Sequence, residues 1–248
     1  QNLYNLVDFN IYMGHPGLND LPTALHAAAA TAVPFFFCPS DGENQVHSLT
    51  MPSGAVIPVA GSNYAMNQGS GMDKMFHPSL GTADGLCWND AKIKFASITD
   101  GTSNTLAFTE SLRGPVTKPT SVAGTHAEMQ RFRGAVSPSD ALLALADAGN
   151  LPAMLSSIPS WNAQRLMFWL RGTSPDGPVM NGRFAPNAKT PDLVVGSSKA
   201  TAARSNHTGG VEACYADGSV HFISDSIDAV TWHAIWTRSG GEVVSTPE

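Results

Sequence analysis

Hydrophobic and polar positions over "VEACYADGSVHFIS", Val211 to Ser224, form two alternating runs joined through Ala216-Asp217-Gly218. That is the pattern of two antiparallel strands joined by a tight turn, with Val211, Ala213 and Tyr215 on one face and Val220 and Phe222 returning beside them. The period then becomes helical. In "SDSIDAVTWHAIWTRSGG", Ser224 or Asp225 supplies an N-cap, Ile227, Val230, Ala234 and Ile235 form an apolar stripe, and Gly240 marks the stop. Upstream, "AKIKFASI" and "TLAFTES" flank "TDGTSN" and are expected as neighbouring antiparallel strands, with Asp100-Gly101 as the turn and Asn104 in turn chemistry.

Helical spacing recurs in "QNLYNLVDF" at the start and in "LPTALHAAAATAV", which Pro34 closes. "PFFFCPSD" is expected as a strand ending in a turn, and Gly42 to Asp90 as loops with brief strands. In "SPSDALLALADAG", Ser137 is the expected N-cap, Pro138 the first helical residue, Asp140 the reciprocal cap and Gly149 the stop. A second helix is expected over "SWNAQRLMFWLRG", and loops around short extended pieces after it.

Composition narrows the function classes. The 248 residues suffice for one large domain, and a single domain over 1–248 is the reading adopted. Fourteen Lys plus Arg against twenty Asp plus Glu give a formal charge of -6 with no basic run, so nucleic acid has no electrostatic footprint here. Only 14% of residues are charged, while Gly (23) and Pro (17) are plentiful, as in loop-rich exported proteins. The longest apolar run, "AAAATAVPFFFC", contains Pro34 and falls short of the roughly twenty residues of a membrane span. Cys38, Cys87 and Cys214 fit no CxxC pair, leaving either one disulfide with a spare thiol or three buried thiols.

Candidate chemistry concentrates between Ser205 and Asp228. His207 could act as a metal ligand or base with Asp217, or could tie the glycine-rich entry "HTGG", with Gly209 and Gly210, to a carbonyl or carboxylate. The structural role is the expectation, because catalysis needs a nucleophile or third orienting group and the sequence identifies none. Gly218 should supply a positive-φ turn that Asp217 stabilises. Asp217, Asp225 and Asp228, with backbone carbonyls, are the one oxygen set that could hold calcium, although their spacing is not that of the twelve-residue calcium loop. No other cofactor is expected. Ser40, Ser103 and Ser111 lack the GxSxG context of a serine nucleophile. His15, His26, His47, His77, His126, His221 and His233 show no HExxH-like pair, and Trp161, Trp169, Trp232 and Trp236 suit core packing better than sugar stacking.

His207, nine intervening residues, and Asp217-Gly218 followed by "SVHFISDSID" and "RSGGE" resemble the C-terminal signature of a large bacterial family. Its members carry a prepilin-type N-terminal cleavage and methylation segment and a domain of unknown function. "QNLYNLVDFN", "FFFCPSD", "SNYAMNQG" and "ITDGTSNTLAFTES" add matches in the family's order. The resemblance implies a pilin-like or pseudopilin-like subunit: a leader, an apolar N-terminal helix for anchoring and packing, and an exported α+β head. Gln1 opens inside a helical pattern, so such a segment is expected before it. Residues 137–171 match none of these motifs and are expected as a helical insertion.

The implied setting is periplasmic or on the cell surface, with self-assembly or related subunits as partners, membrane contact only through the preceding helix, and one disulfide. The expected function is therefore non-enzymatic and structural. A secreted carbohydrate- or small-ligand-binding module is the alternative, which a surface tryptophan row beside a cleft would favour. Three convergent ligands with an open position would favour a third class, a metal-dependent hydrolase.

Overall fold

The computed structural model describes residues 2–14, 18–72, 83–88, 90–117, 119–172, 177–196 and 198–242. His15 and His77, and the loops expected over 73–82 and 173–176, lie outside the described residues. The fold is α+β, with predominantly antiparallel sheets and short helices. The strands are β1 (Val46–Thr50), β2 (Val56–Ala60), β3 (Tyr64–Asn67), β4 (Leu106–Glu110), β5 (Arg133–Gly134), β6 (Trp161–Asn162), β7 (Val179–Met180), β8 (Asp192–Val195), β9 (Ser198–Ala200), β10 (Gly210–Tyr215) and β11 (Val220–Ser224). The helices are α1 (His26–Ala29), α2 (His126–Arg131), α3 (Asp140–Asp147), α4 (Leu151–Ser156) and α5 (Ala229–Ala234). No helix among the described residues is long and apolar enough to cross a membrane.

The central sheet has the order β11-β10-β4-β3-β7, antiparallel except for β3 with β7. A second sheet runs β6-β5-β8-β9, and β1 pairs with β2 apart from both. Val211, Ala213, Tyr215 and Ile223 bury the inner face of the C-terminal hairpin against Trp232, Ile235 and Trp236. The two indoles meet edge to face with centroids 5.3 Å apart. Trp236 fits because residue 182 is glycine: a Cβ there would stand 2.3 Å from the indole nitrogen. Asn67, fully buried, joins the layers by donating to the carbonyls of Leu106 (2.7 Å) and Trp236 (2.9 Å).

Several expectations are corrected. The register places Val211 opposite Ile223 and Ala213 opposite His221, so Val220 and Phe222 face outward rather than joining the core. Asp228, not Ser224 or Asp225, caps α5, and Val230 is exposed while Trp232 and Trp236 take the buried stripe. "AKIKFASI" forms only a 3-10 turn at Phe95–Ser97, because both edges of β4 are already taken by β3 and β10. "QNLYNLVDF" and "PFFFCPSD" likewise give 3-10 turns at Leu3–Leu6 and Pro34–Phe36, and α1 spans one turn. Ser139 replaces Ser137 as the cap of α3.

Within 137–171, helix ends at Ser156. "SWNAQRLMFWLRG" is strand at Trp161–Asn162 and irregular after it rather than helical: Ala163 exchanges backbone hydrogen bonds with Val116 and Thr117, and the Arg165 carbonyl accepts from Gly114 N–H. Its side chains explain why: Leu166, Met167 and Phe168 are buried, and Arg165 reaches Asp192 at 2.8 Å.

Asp192 pairs with two buried guanidiniums, Arg165 and Arg204, the latter at 2.9 Å. Burial pushes the Asp192 carboxyl up, but the two positive charges outweigh it and hold the group below its usual range. Arg165 also donates to the carbonyls of Leu112 and Ala202, and Arg204 to those of Ala188 and Thr190. The second sheet is thereby tied to the chain segments entering and leaving the first. Asp192→Ala would strand two buried cations and should cost about 3–5 kcal/mol in urea unfolding. Asp147→Ala, which removes the exposed partner of Arg183, should cost about 1 kcal/mol or less. Equal costs would contradict the assignment.

Candidate functional site

His207 and Asp217 lie at opposite ends of β10, so they do not form the pair considered from the sequence. Asp217 serves its own turn: Oδ1 accepts from Ser219 N–H (2.9 Å) and Oγ (2.7 Å), which hold the carboxyl below its ordinary value. Gly218 has φ +89°, as the turn requires, and Gly209 has φ +83°. A Cβ on Gly210 would stand 2.2 Å from the Ile223 carbonyl, so the close strand pairing there needs glycine. The calcium set does not converge. Asp225 accepts from Asn187 Nδ2 (2.8 Å) and Asp228 from Thr231 N–H (3.0 Å) at the far end of the hairpin from Asp217.

His207 meets two residues that sequence reasoning did not assign to it. Its Nε2 stands 3.2 Å from Glu110 Oε1, at the end of β4, and 3.6 Å from the Cys38 thiol, in the loop after Pro34–Phe36. The three candidate donor atoms lie within 4.8 Å of one another. Cys38 and Glu110 are buried, while the His207 side chain is 38% exposed. Each member comes from a different stretch that carries the family resemblance: "FFFCPSD", "TLAFTES" and the His207 motif. The partners are 169 and 97 residues from His207 along the chain, so no local spacing pointed to them. The only signal was a ligand-type residue in each motif.

Hydrogen bonds fix the cluster from behind. Glu110 Oε2 accepts from the Glu212 backbone N–H (3.1 Å), His207 N–H donates to Ser205 Oγ (3.0 Å), and Asn206 Nδ2 donates to the Ser40 carbonyl (2.7 Å). Cys38 N–H donates to Asn63 Oδ1 (3.1 Å). Asn63 in turn donates to Asp41 Oδ2 (2.8 Å) and the Ser111 carbonyl (2.9 Å), and Arg113 Nε donates to the same Asp41 oxygen (3.0 Å). Arg131 stands 2.7 Å from Asp41 Oδ1 as an ion pair, and its hydrogen bonds run to the carbonyls of Arg113 and Asp41.

The arrangement is not that of a cysteine nucleophile. Burial, then Glu110, pushes the Cys38 thiol up from its ordinary value against the hydrogen bond from Ser40, which disfavours the reactive thiolate. Cys38 and Glu110 also face the same ring nitrogen, whereas a catalytic triad uses one nitrogen for the nucleophile and the other for the acid. What the three groups can do is converge on a cation.

Neither of two cavities, one beside the N-terminal segment and one beside Arg133 and Arg165, is lined by Cys38, Glu110 or His207. Among the other described histidines, His26 bonds the Leu21 carbonyl, His47 lies 3.9 Å from Glu43, His126 meets Gln130, His233 meets the Arg183 carbonyl, and His221 meets the Tyr215 ring edge to face. Trp232 and Trp236 are core residues, and Trp169 donates to the Thr31 carbonyl. No surface tryptophan row is formed among the described residues. Cys38, Cys87 and Cys214 are all free, which corrects the expected disulfide.

These features define an α+β protein whose recognisable motifs meet in one buried polar network around a Cys-Glu-His cluster. The chain belongs to the family described as "Protein of unknown function (DUF1559)", whose model, SBP_bac_10, matches residues 1–230. Comparison with curated proteins and with solved structures finds no significant match.

Gly218→Val should lower stability by about 1 kcal/mol or more, because a β-branched residue resists positive φ. No neighbour lies within 4 Å of the added Cβ, so the cost is conformational alone. Gly218→Asn should recover most of it in the same urea titration. Valine and asparagine variants of equal stability would refute the turn's role.

Proposed function

We propose that the chain is the exported head of a pilin- or pseudopilin-like subunit that works without catalysis, by assembling with related subunits in the periplasm or at the cell surface. The observation that carries this reading is an apolar face near the N-terminus. Tyr4, Phe9, Tyr12 and Leu18 are 68%, 69%, 85% and 76% exposed. Tyr4 and Phe9 border a concavity of about 500 Å³ walled by Leu3, Val7, Ile11, Met13, Leu25 and Leu170. Contiguous exposed apolar surface of this kind marks protein or membrane contacts. The occupant proposed is an apolar helix of a neighbouring subunit, of the kind the family resemblance implies.

Two further observations agree with it. The family motifs place Asp41, Asn63 and Asn67 in the interior, where they bond other parts of the chain rather than line a cleft. The net charge of -6 gives no basis for nucleic-acid binding. The free cysteines lend the exported setting no support of their own.

The concavity also favours one form of the alternative, a module that binds a small apolar ligand; its apolar walls offer few partners to sugar hydroxyls. The test uses the full chain. Phe9→Ser with Tyr12→Ser should abolish most sedimentable assembly while the head melts like wild type, since both side chains are exposed. Unchanged assembly would overturn the subunit reading. Unchanged assembly with a stoichiometric small adduct in native mass spectrometry would select the ligand-binding module.

A further inference from the structure

We propose that Cys38, Glu110 and His207 form a zinc site that clasps the Cys38 loop and the entry to β10 onto the end of β4. Thiolate, imidazole and carboxylate are the donors zinc takes, and the sulfur and nitrogen select it over magnesium or calcium. The spacing fits as well. Around a tetrahedral zinc with bonds of about 2.3 Å to sulfur and about 2.0 Å to nitrogen or oxygen, neighbouring donors stand ~3.5 Å (S to N) and ~3.3 Å (N to O) apart. The corresponding separations here are 3.6 Å and 3.2 Å. The third edge, sulfur to carboxylate oxygen, is within 4.8 Å and would shorten to ~3.5 Å on binding.

Charge and surroundings agree. Cys38 would bind as the thiolate, its proton passing to solvent as the sulfur–zinc bond forms. One thiolate and one carboxylate then neutralise the dication, so no net charge is left among buried groups. The outer shell that orients ligands is in place: Glu212 N–H on the free oxygen of Glu110, and Asn63 on the backbone of Cys38. The exposed side of His207 leaves room for water as the fourth ligand. Three protein ligands with an open position also suit a hydrolase, but neither cavity opens onto the cluster, and the role assigned to the zinc is to bind and clasp.

The test needs only the folded head and does not depend on assembly. Chelator-treated protein titrated with zinc chloride should bind one equivalent. It should melt about 5–10 °C higher at zinc a hundredfold above the dissociation constant. Cobalt chloride should give tetrahedral bands with a thiolate charge-transfer absorption that Cys38→Ser removes. Glu110→Gln and His207→Ala should each weaken zinc binding by roughly 100-fold or more. Should Cys38→Ser fail to fold, zinc should still slow alkylation of Cys38 in the wild type and leave Cys87 and Cys214 unaffected. Absence of one-to-one binding, a cobalt–thiolate band that survives in Cys38→Ser, or zinc-independent alkylation of Cys38 would overturn the site.

Discussion

The Asp41 carboxylate sits in the interior with almost no contact with water, and its partners come from three remote parts of the chain: Asn63, Arg113 and Arg131. A buried carboxylate is costly unless its charge and lone pairs are met, so these segments are constrained together or not at all. Arg113 extends the knot by donating to the carbonyls of Asn44 (2.5 Å) and Glu43 (2.6 Å) and by lying 4.8 Å over the Phe37 ring. The loop carrying Cys38 has only a 3-10 turn and the Cys38–Asp41 turn of its own. Asn63 and Asp41 hold it against the end of β4, and Glu110 and His207 meet it there.

A second knot, around Asp192, does the same for the other sheet. This chain is poor in charge on the whole, yet it places Arg113, Arg165 and Arg204 inside, each against a carboxylate and several carbonyls. Buried ion pairs of this kind add little net stability over apolar replacements, but breaking one leaves an uncompensated charge. They therefore act on specificity: short strands and loops that hydrophobic packing alone would leave in several registers are fixed by directional bonds. The α5 layer works differently, through Trp232 and Trp236 on the inner face of the hairpin.

The C-terminal hairpin and its Asp217-Gly218 turn were legible from alternation and a positive-φ glycine, and a helix after them from its spacing, but its cap lies at Asp228 and not where the sequence pointed. The segment 161–171 was not. Its apolar spacing suits a helix, but Arg165 is drawn to Asp192 and Leu166 adopts φ +52°, so tertiary contacts override local preference. "FFFCPSD" looked like a strand for its aromatics, yet Pro34 opens a 3-10 turn and Phe35 faces solvent. The Cys38-Glu110-His207 cluster was invisible for another reason: its members meet only because the sheet and the Asp41 knot bring them together, and no residue spacing encodes that.

Native-state hydrogen exchange on Asp41→Asn tests this dependence most directly. The account predicts that protection falls together in three distant stretches, around Cys38 to Asn44, at Asn63 and from Ser111 to Gly114, while the Trp232–Trp236 layer stays protected. Loss confined to the loop around residue 41, with 63 and 111–114 protected as in wild type, would contradict it.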